Sequence, residues 1–177
     1  MPKLKLLILD AGVVIRLHEL GIWDQVRDKC DVHLSQIVAG KEVLFQPGDE
    51  GEYGEDIDLS SDISSGKVRV FDVSATELKA FRDQFDSLYL GDLDDGEAES
   101  LAYLTKQTDD FLISSGDAIV YRVLGNLSRR DQGLSLEEIL QRIGLGRRLE
   151  WAYSQAFREK YTMDGETDMI QRRGKKT

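Results

Sequence analysis

Apolar positions crowd together at the start of the chain and spread to helical spacing further on. Leu4, Leu6, Leu7, Ile8 and Leu9 stand almost without interruption and stop at Asp10. A short, near-continuous apolar run reads as a strand buried on both faces of a parallel sheet. Asp10 then takes the carboxyl end of that strand, where open α/β sheets bind ligands. A turn at Ala11 and Gly12 leads to Leu17, Leu20, Ile22, Trp23 and Val26, the pattern of an amphipathic helix running to about Lys29, with Gly21 its weak point. Val32, His33 and Leu34 predict a second strand. Ser35 predicts the cap of a short helix carrying Ile37, Val38 and Val43.

Residues 47–62 hold seven acids and no base, which predicts a surface loop. Residues 67–73 alternate as a strand does. Two capping boxes follow from spacing alone: Ser74 with Glu77 before a helix over 75–85, and Ser135 with Glu138 before another. Phe111, Leu112 and Ile113 predict a further strand, and Asp117 opens a helix bearing Ala118, Ile119, Val120, Val123 and Leu124. A last amphipathic helix is predicted over 147–161, followed by a basic tail, Arg172 to Lys176, without fixed structure. Strands alternating with helices predict an α/β fold on a mostly parallel sheet.

In the helix expected from about Gly96 to Gln107, the apolar face is set by Ala98, Leu101, Ala102 and Leu104. Glu97 falls roughly 70° from the centre of that face and Glu99 roughly 130°. Glu97 is therefore expected at the edge of the core and Glu99 in solvent. Each acid alone has an ordinary explanation. First-turn acids favour the helix dipole by a few tenths of a kcal/mol, Asp117 suits a helix cap, and an isolated strand-end aspartate is a turn residue about two times in three.

Composition narrows the chemistry. The 177 residues fit one domain, and 41% hydrophobic content is enough for a single core. A net charge of -10, from 33 acids against 23 bases, excludes nucleic-acid binding by charge alone. It leaves open a nuclease whose acids are offset by divalent metal. One cysteine forms no internal disulfide, and two histidines make no zinc pattern. Asp92, Asp94 and Asp95 miss the spacing of a calcium loop. No apolar run is long enough for a signal peptide or a membrane helix, so the expected compartment is the cytoplasm.

Three stretches together resemble the PIN-domain family of metal-dependent nucleases: Leu6 to Asp10, Leu93-Asp94-Asp95-Gly96-Glu97-Ala98-Glu99-Ser100-Leu101-Ala102, and Phe111 to Asp117. The middle stretch is the most specific, being similar to the GEAE-type motif of one branch. The resemblance spans about residues 3–128, and the segment from Leu134 onward resembles that branch's extra C-terminal helices. It implies a three-layer α/β/α fold with a parallel sheet of four or five strands. Residues 1–130 would form the PIN-like domain, with 131–177 a helical extension packed on it.

The implied reaction is hydrolysis of RNA phosphodiesters with Mg2+ or Mn2+, ions that take hard oxygen ligands. Asp10, Glu97 and Asp117 would be the ligands, with Glu42 and Glu99 as further candidates. Many members are toxins held by an antitoxin, so the implied partners are RNA and an antitoxin-like protein; a second copy of the chain is a further candidate. The family follows its first aspartate with a hydroxyl and an amide residue, whereas here Ala11 and Gly12 follow Asp10. Lys41 stands at the spacing of the family's second acid, with Glu42 one residue later. Two other readings compete. One is a PIN-like binding module without activity. The other is a haloacid dehalogenase-type phosphohydrolase, whose second aspartate would stand where Gly12 does.

Overall fold

The computed structural model describes residues 2–41, 45–46, 48, 50, 53–108 and 110–176. A four-stranded, all-parallel sheet lies at its centre: β1 (Leu4–Leu9), β2 (Cys30–Ser35), β3 (Val68–Phe71) and β4 (Leu112–Ser114), in the order β3-β2-β1-β4. Leu7 lies between Val32 of β2 and Leu112 of β4, and Ile8 between His33 and Ile113. From β1 the chain builds outward through β2 to β3, then returns to place β4 on the other side. The order thus reverses between β1 and β4, and a crevice outside the carboxyl ends of those two strands follows.

Alternation along β1 separates two cores. Leu7 and Leu9 pack with Val32 and Leu34 against α1 (Ala11–Glu19), α2 (Trp23–Lys29) and, later in the chain, Leu136, Ile139 and Leu140. Ile8 and Ile113 face the other way, against Phe81, Leu101, Val120, Tyr121 and Leu124. The result is a three-layer α/β/α fold.

Local sequence explains most element boundaries. No free turn follows β1, because Asp10 accepts the Val13 amide and starts α1 at once. Gly21, at φ +69°, ends α1 and divides the expected single helix in two. The Ser35 hydroxyl accepts the Val38 amide at 3.0 Å, heading a π-turn over Ile37–Lys41. Glu42 and Val43 lie outside the described residues.

The acidic segment is more structured than a loop. Glu55–Asp56 pair antiparallel with Phe45–Gln46, and α3 (Ser60–Ser64) follows. Asp62 fastens it, accepting from Trp23 at 2.9 Å and Arg27 at 2.5 Å. The capping boxes read from the sequence head α4 (Ala75–Arg82) and, later, α7 (Leu136–Arg142). A third, Asp94 with Glu97, heads α5 (Asp95–Leu104).

The C-terminal part departs from expectation. Residues 147–150 are not helical, a 3-10 turn covers Trp151–Tyr153, and α8 runs over Gln155–Ile170. It crosses α6 (Ala118–Asn126) through two glycines. A Cβ on Gly165 would lie 1.9 Å from the Arg122 carbonyl oxygen. The basic tail is ordered rather than free. Gly174 O accepts the Asp86 amide and the Lys176 amide donates to Gln84 O, both at 2.7 Å. Main-chain pairing, which side-chain charge does not foretell, overrides the composition. Among the described residues no helix is long and apolar enough to cross a membrane.

Candidate metal centre

Asp10 sits at the tip of β1, only 5% exposed. Its Oδ1 accepts the Val13 amide at 3.0 Å as the cap of α1, and its Oδ2 accepts the hydroxyl of Ser115. The same Ser115 oxygen accepts the Asp117 amide at 2.9 Å. Ser115 is fixed in turn by buried Tyr121, whose hydroxyl accepts the Ser115 amide at 3.0 Å and lies 2.9 Å from the carbonyls of Ser115 and Leu134, donating to one of them. The support that Ala11 and Gly12 fail to give Asp10 therefore comes from the end of β4. Burial pushes the Asp10 carboxyl up to about 7, against the pull of the Ser115 and Val13 hydrogen bonds and with the help of the Asp117 and Asp94 charges.

Glu97 approaches from α5. Its Oε2 accepts the Asp94 amide at 3.2 Å while Asp94 Oδ1 accepts the Glu97 amide at 2.8 Å. That capping box holds the side chain over the switch point instead of in solvent. Its other oxygen, Oε1, is buried and accepts from no donor among the described residues; the group beside it is the Asp117 carboxylate. Burial, then the neighbouring Asp117 carboxylate, then Asp94 and Asp10, hold the Glu97 carboxyl well above the usual carboxylate range. A buried acid in this condition is neutral unless a cation compensates it.

Asp117 begins α6 but its carboxylate makes no capping hydrogen bond, so the ordinary cap role leaves it free to face the site. It is exposed and stands at the mouth. One carboxylate oxygen from each of Asp10, Glu97 and Asp117 lies within 4.8 Å of the others. Ions with oxygen ligands at about 2.0–2.6 Å span such gaps. Three hard oxygen donors, two of them on buried residues, fit a divalent cation, and this acidic cluster could hold one.

Glu99 is not in the group, and it is not in solvent: it is 3% exposed. The angular argument assumed one wet face, whereas α5 is buried continuously from Gly96 to Ala102. Glu42 lies outside the described residues. A cleft of about 880 Å3 between the 82–93 segment and the tail has none of the three acids in its lining.

One residue at the site carries no signal in the hydrophobic pattern. Tyr153 lies across two glycines close in sequence to acids, Gly12 two residues after Asp10 and Gly116 just before Asp117. Its hydroxyl is 3.4 Å from Gly12 O, and a Cβ on Gly116 would meet its Cε1 at 2.9 Å. Glycines at positions 12 and 116, within two residues of Asp10 and Asp117, hint at a close approach without saying what approaches. Burial, then the Asp10 charge, pushes the Tyr153 phenol up to about 12. No protein-family model, curated protein or solved structure matches the chain.

Proposed function

We propose that the chain is a PIN-like ribonuclease that hydrolyses RNA phosphodiesters with Mg2+ or Mn2+. The observation that carries this reading is the convergence of Asp10, Glu97 and Asp117 within 4.8 Å at the carboxyl edge of a parallel sheet. The resemblance in the sequence had named the same three acids, and the α/β/α layering agrees with it.

Asp10, Glu97 and Asp117 would hold the ion. When bound, it supplies a water of lowered pKa and a positive charge beside the phosphoryl oxygens. Asp10 is held in place by Ser115 and Val13, so it needs little reorganisation to present an oxygen. Asp10 and Glu97 give up their protons as the ion arrives, which makes binding tighten with pH. Asp117, on the open side, borders the path by which a phosphodiester enters. With the chain at -10, RNA is drawn by the ion and not by the overall field. An antitoxin-like protein partner and a cytoplasmic setting belong to the same proposal.

Calorimetry with Mn2+ and cleavage of a fluorogenic single-stranded RNA test it. We expect metal-dependent heat and metal-dependent cleavage, both lost in Asp10→Asn. No metal-dependent heat in the unmutated protein sinks the nuclease. Heat without cleavage of any RNA leaves a metal-binding module in its place.

A further inference from the structure

The segment 149–155 is fastened on both sides. Glu137 of α7 accepts the Leu149 amide on Oε2 at 3.0 Å and the Gln155 amide on Oε1 at 3.4 Å. Between them Glu150 takes a two-point ion pair from Arg16 of α1, with Nε 2.6 Å from Oε1 and a terminal nitrogen 3.1 Å from Oε2. These ties hold Tyr153 against Gly12 and Gly116. Its ring touches Gly116 so closely that any side chain there would collide with Cε1. The Tyr153 hydroxyl and Asp10 Oδ1 both lie 3.6 Å from the point a Cβ on Gly12 would occupy. The hydroxyl thus stands near Asp10 on the rim of the acid cluster, and its hydrogen bond to Gly12 O is long at 3.4 Å. A phenol with a weakly used donor near Asp10, its ring against the glycine that precedes Asp117, is suited to an anion brought in by a cation, because the carboxylates alone repel one.

We propose that Tyr153 is a ligand-binding residue of the acid site, donating its hydroxyl to a phosphoryl oxygen of the ligand that the ion holds. The proposal rests on the metal-site reading and extends it to the C-terminal segment, which the sequence resemblance does not assign to the site. Tyr153 touches the ligand's oxygen and takes no proton. Its work is orientation, by a donor whose backbone is already fixed.

The full chain is titrated with Mn2+ by calorimetry, as wild type and as Tyr153→Phe. The Mn2+-loaded proteins are then titrated with inorganic phosphate and with a short single-stranded RNA. We expect Mn2+ affinity and melting temperature to be the same in both proteins, because the lost hydrogen bond to Gly12 is long. Affinity for the phosphoryl probe should fall about tenfold in Tyr153→Phe, as removal of a hydrogen bond to a charged group does. A loss confined to RNA identifies a diester ligand, and one confined to inorganic phosphate a monoester; either supports the assignment. Wild type that binds Mn2+ but neither probe, or Tyr153→Phe that binds both as wild type does, overturns the role of Tyr153 and leaves the metal site standing. Absence of Mn2+ binding in wild type overturns the metal site and this role together.

Discussion

Ser115 donates its hydroxyl to Asp10 across the boundary between two neighbouring parallel strands, and with the same oxygen accepts the amide of Asp117. One small side chain thereby sets the spacing of two of the three acids. Replacing it with alanine removes both bonds and leaves a buried carboxylate half supported. In Ser115→Ala we expect Mn2+ affinity to fall by at least about tenfold, the usual effect of losing a group that orients a metal ligand. Stability in the metal-free state should fall by about 1–3 kcal/mol. Calorimetry and urea unfolding check both, and an unchanged Mn2+ affinity would show that Asp10 is oriented by something else.

Asp10 gives the metal-free protein a pH dependence of definite sign. Its native carboxyl lies at about 7 against an ordinary 3.8, so the native state holds a proton that the unfolded chain releases earlier. The contribution of this group is complete below about pH 4 and is lost as pH rises through about 7. The upper limit is on the order of 4 kcal/mol. Asp10→Asn removes the titration, so its stability relative to wild type should climb between pH 4 and 7. Urea unfolding at a series of pH values measures that difference; a flat difference contradicts the raised carboxyl.

Glu97→Gln keeps an oxygen for the Asp94 amide and, staying neutral as the raised Glu97 acid does, removes the carboxylate that a cation would take. The metal-free variant should be at least as stable as wild type at pH 7. Wild type should gain about 2.7 kcal/mol with Mn2+ at a hundred times its Kd, and the variant only a small part of that. Thermal melts with and without Mn2+ report both, and an equal gain in the two proteins would exclude Glu97 as a ligand.

Away from the site, Gly165→Ala tests the crossing of α6 and α8. Alanine in a helix is worth about 1 kcal/mol over glycine. Here its Cβ would lie 1.9 Å from the carbonyl oxygen of Arg122, a backbone atom that cannot rotate aside. The clash outweighs the propensity, and a net loss of at least about 2 kcal/mol is expected in urea unfolding. A stabilised variant would show that the helices can separate without cost.

The parts of this fold that were legible are those set by local chemistry. The apolar run before Asp10, the capping boxes at Ser74 and Ser135, and the acids Glu97 and Asp117 at helix starts each follow from a few adjacent residues. What was hidden depends on distant partners. Glu99 is buried because other elements close over the second side of α5, which no periodicity within that helix reveals. Ser115 reads as a turn residue until β4 is placed beside β1. Tyr153 lies in a 3-10 turn between helices, where spacing carries little information. The tail reads as free charge because main-chain pairing with Gln84 and Asp86 leaves no mark on composition.

That last pairing also has a consequence in time. Gly174 and Lys176 leave the ribosome long after Gln84 and Asp86, so the Gln84 carbonyl and the Asp86 amide must wait with water in place of their tail partners. The segment leading from α4 toward Asp94 and Glu97 therefore reaches its final form late in synthesis, when the later segment docks.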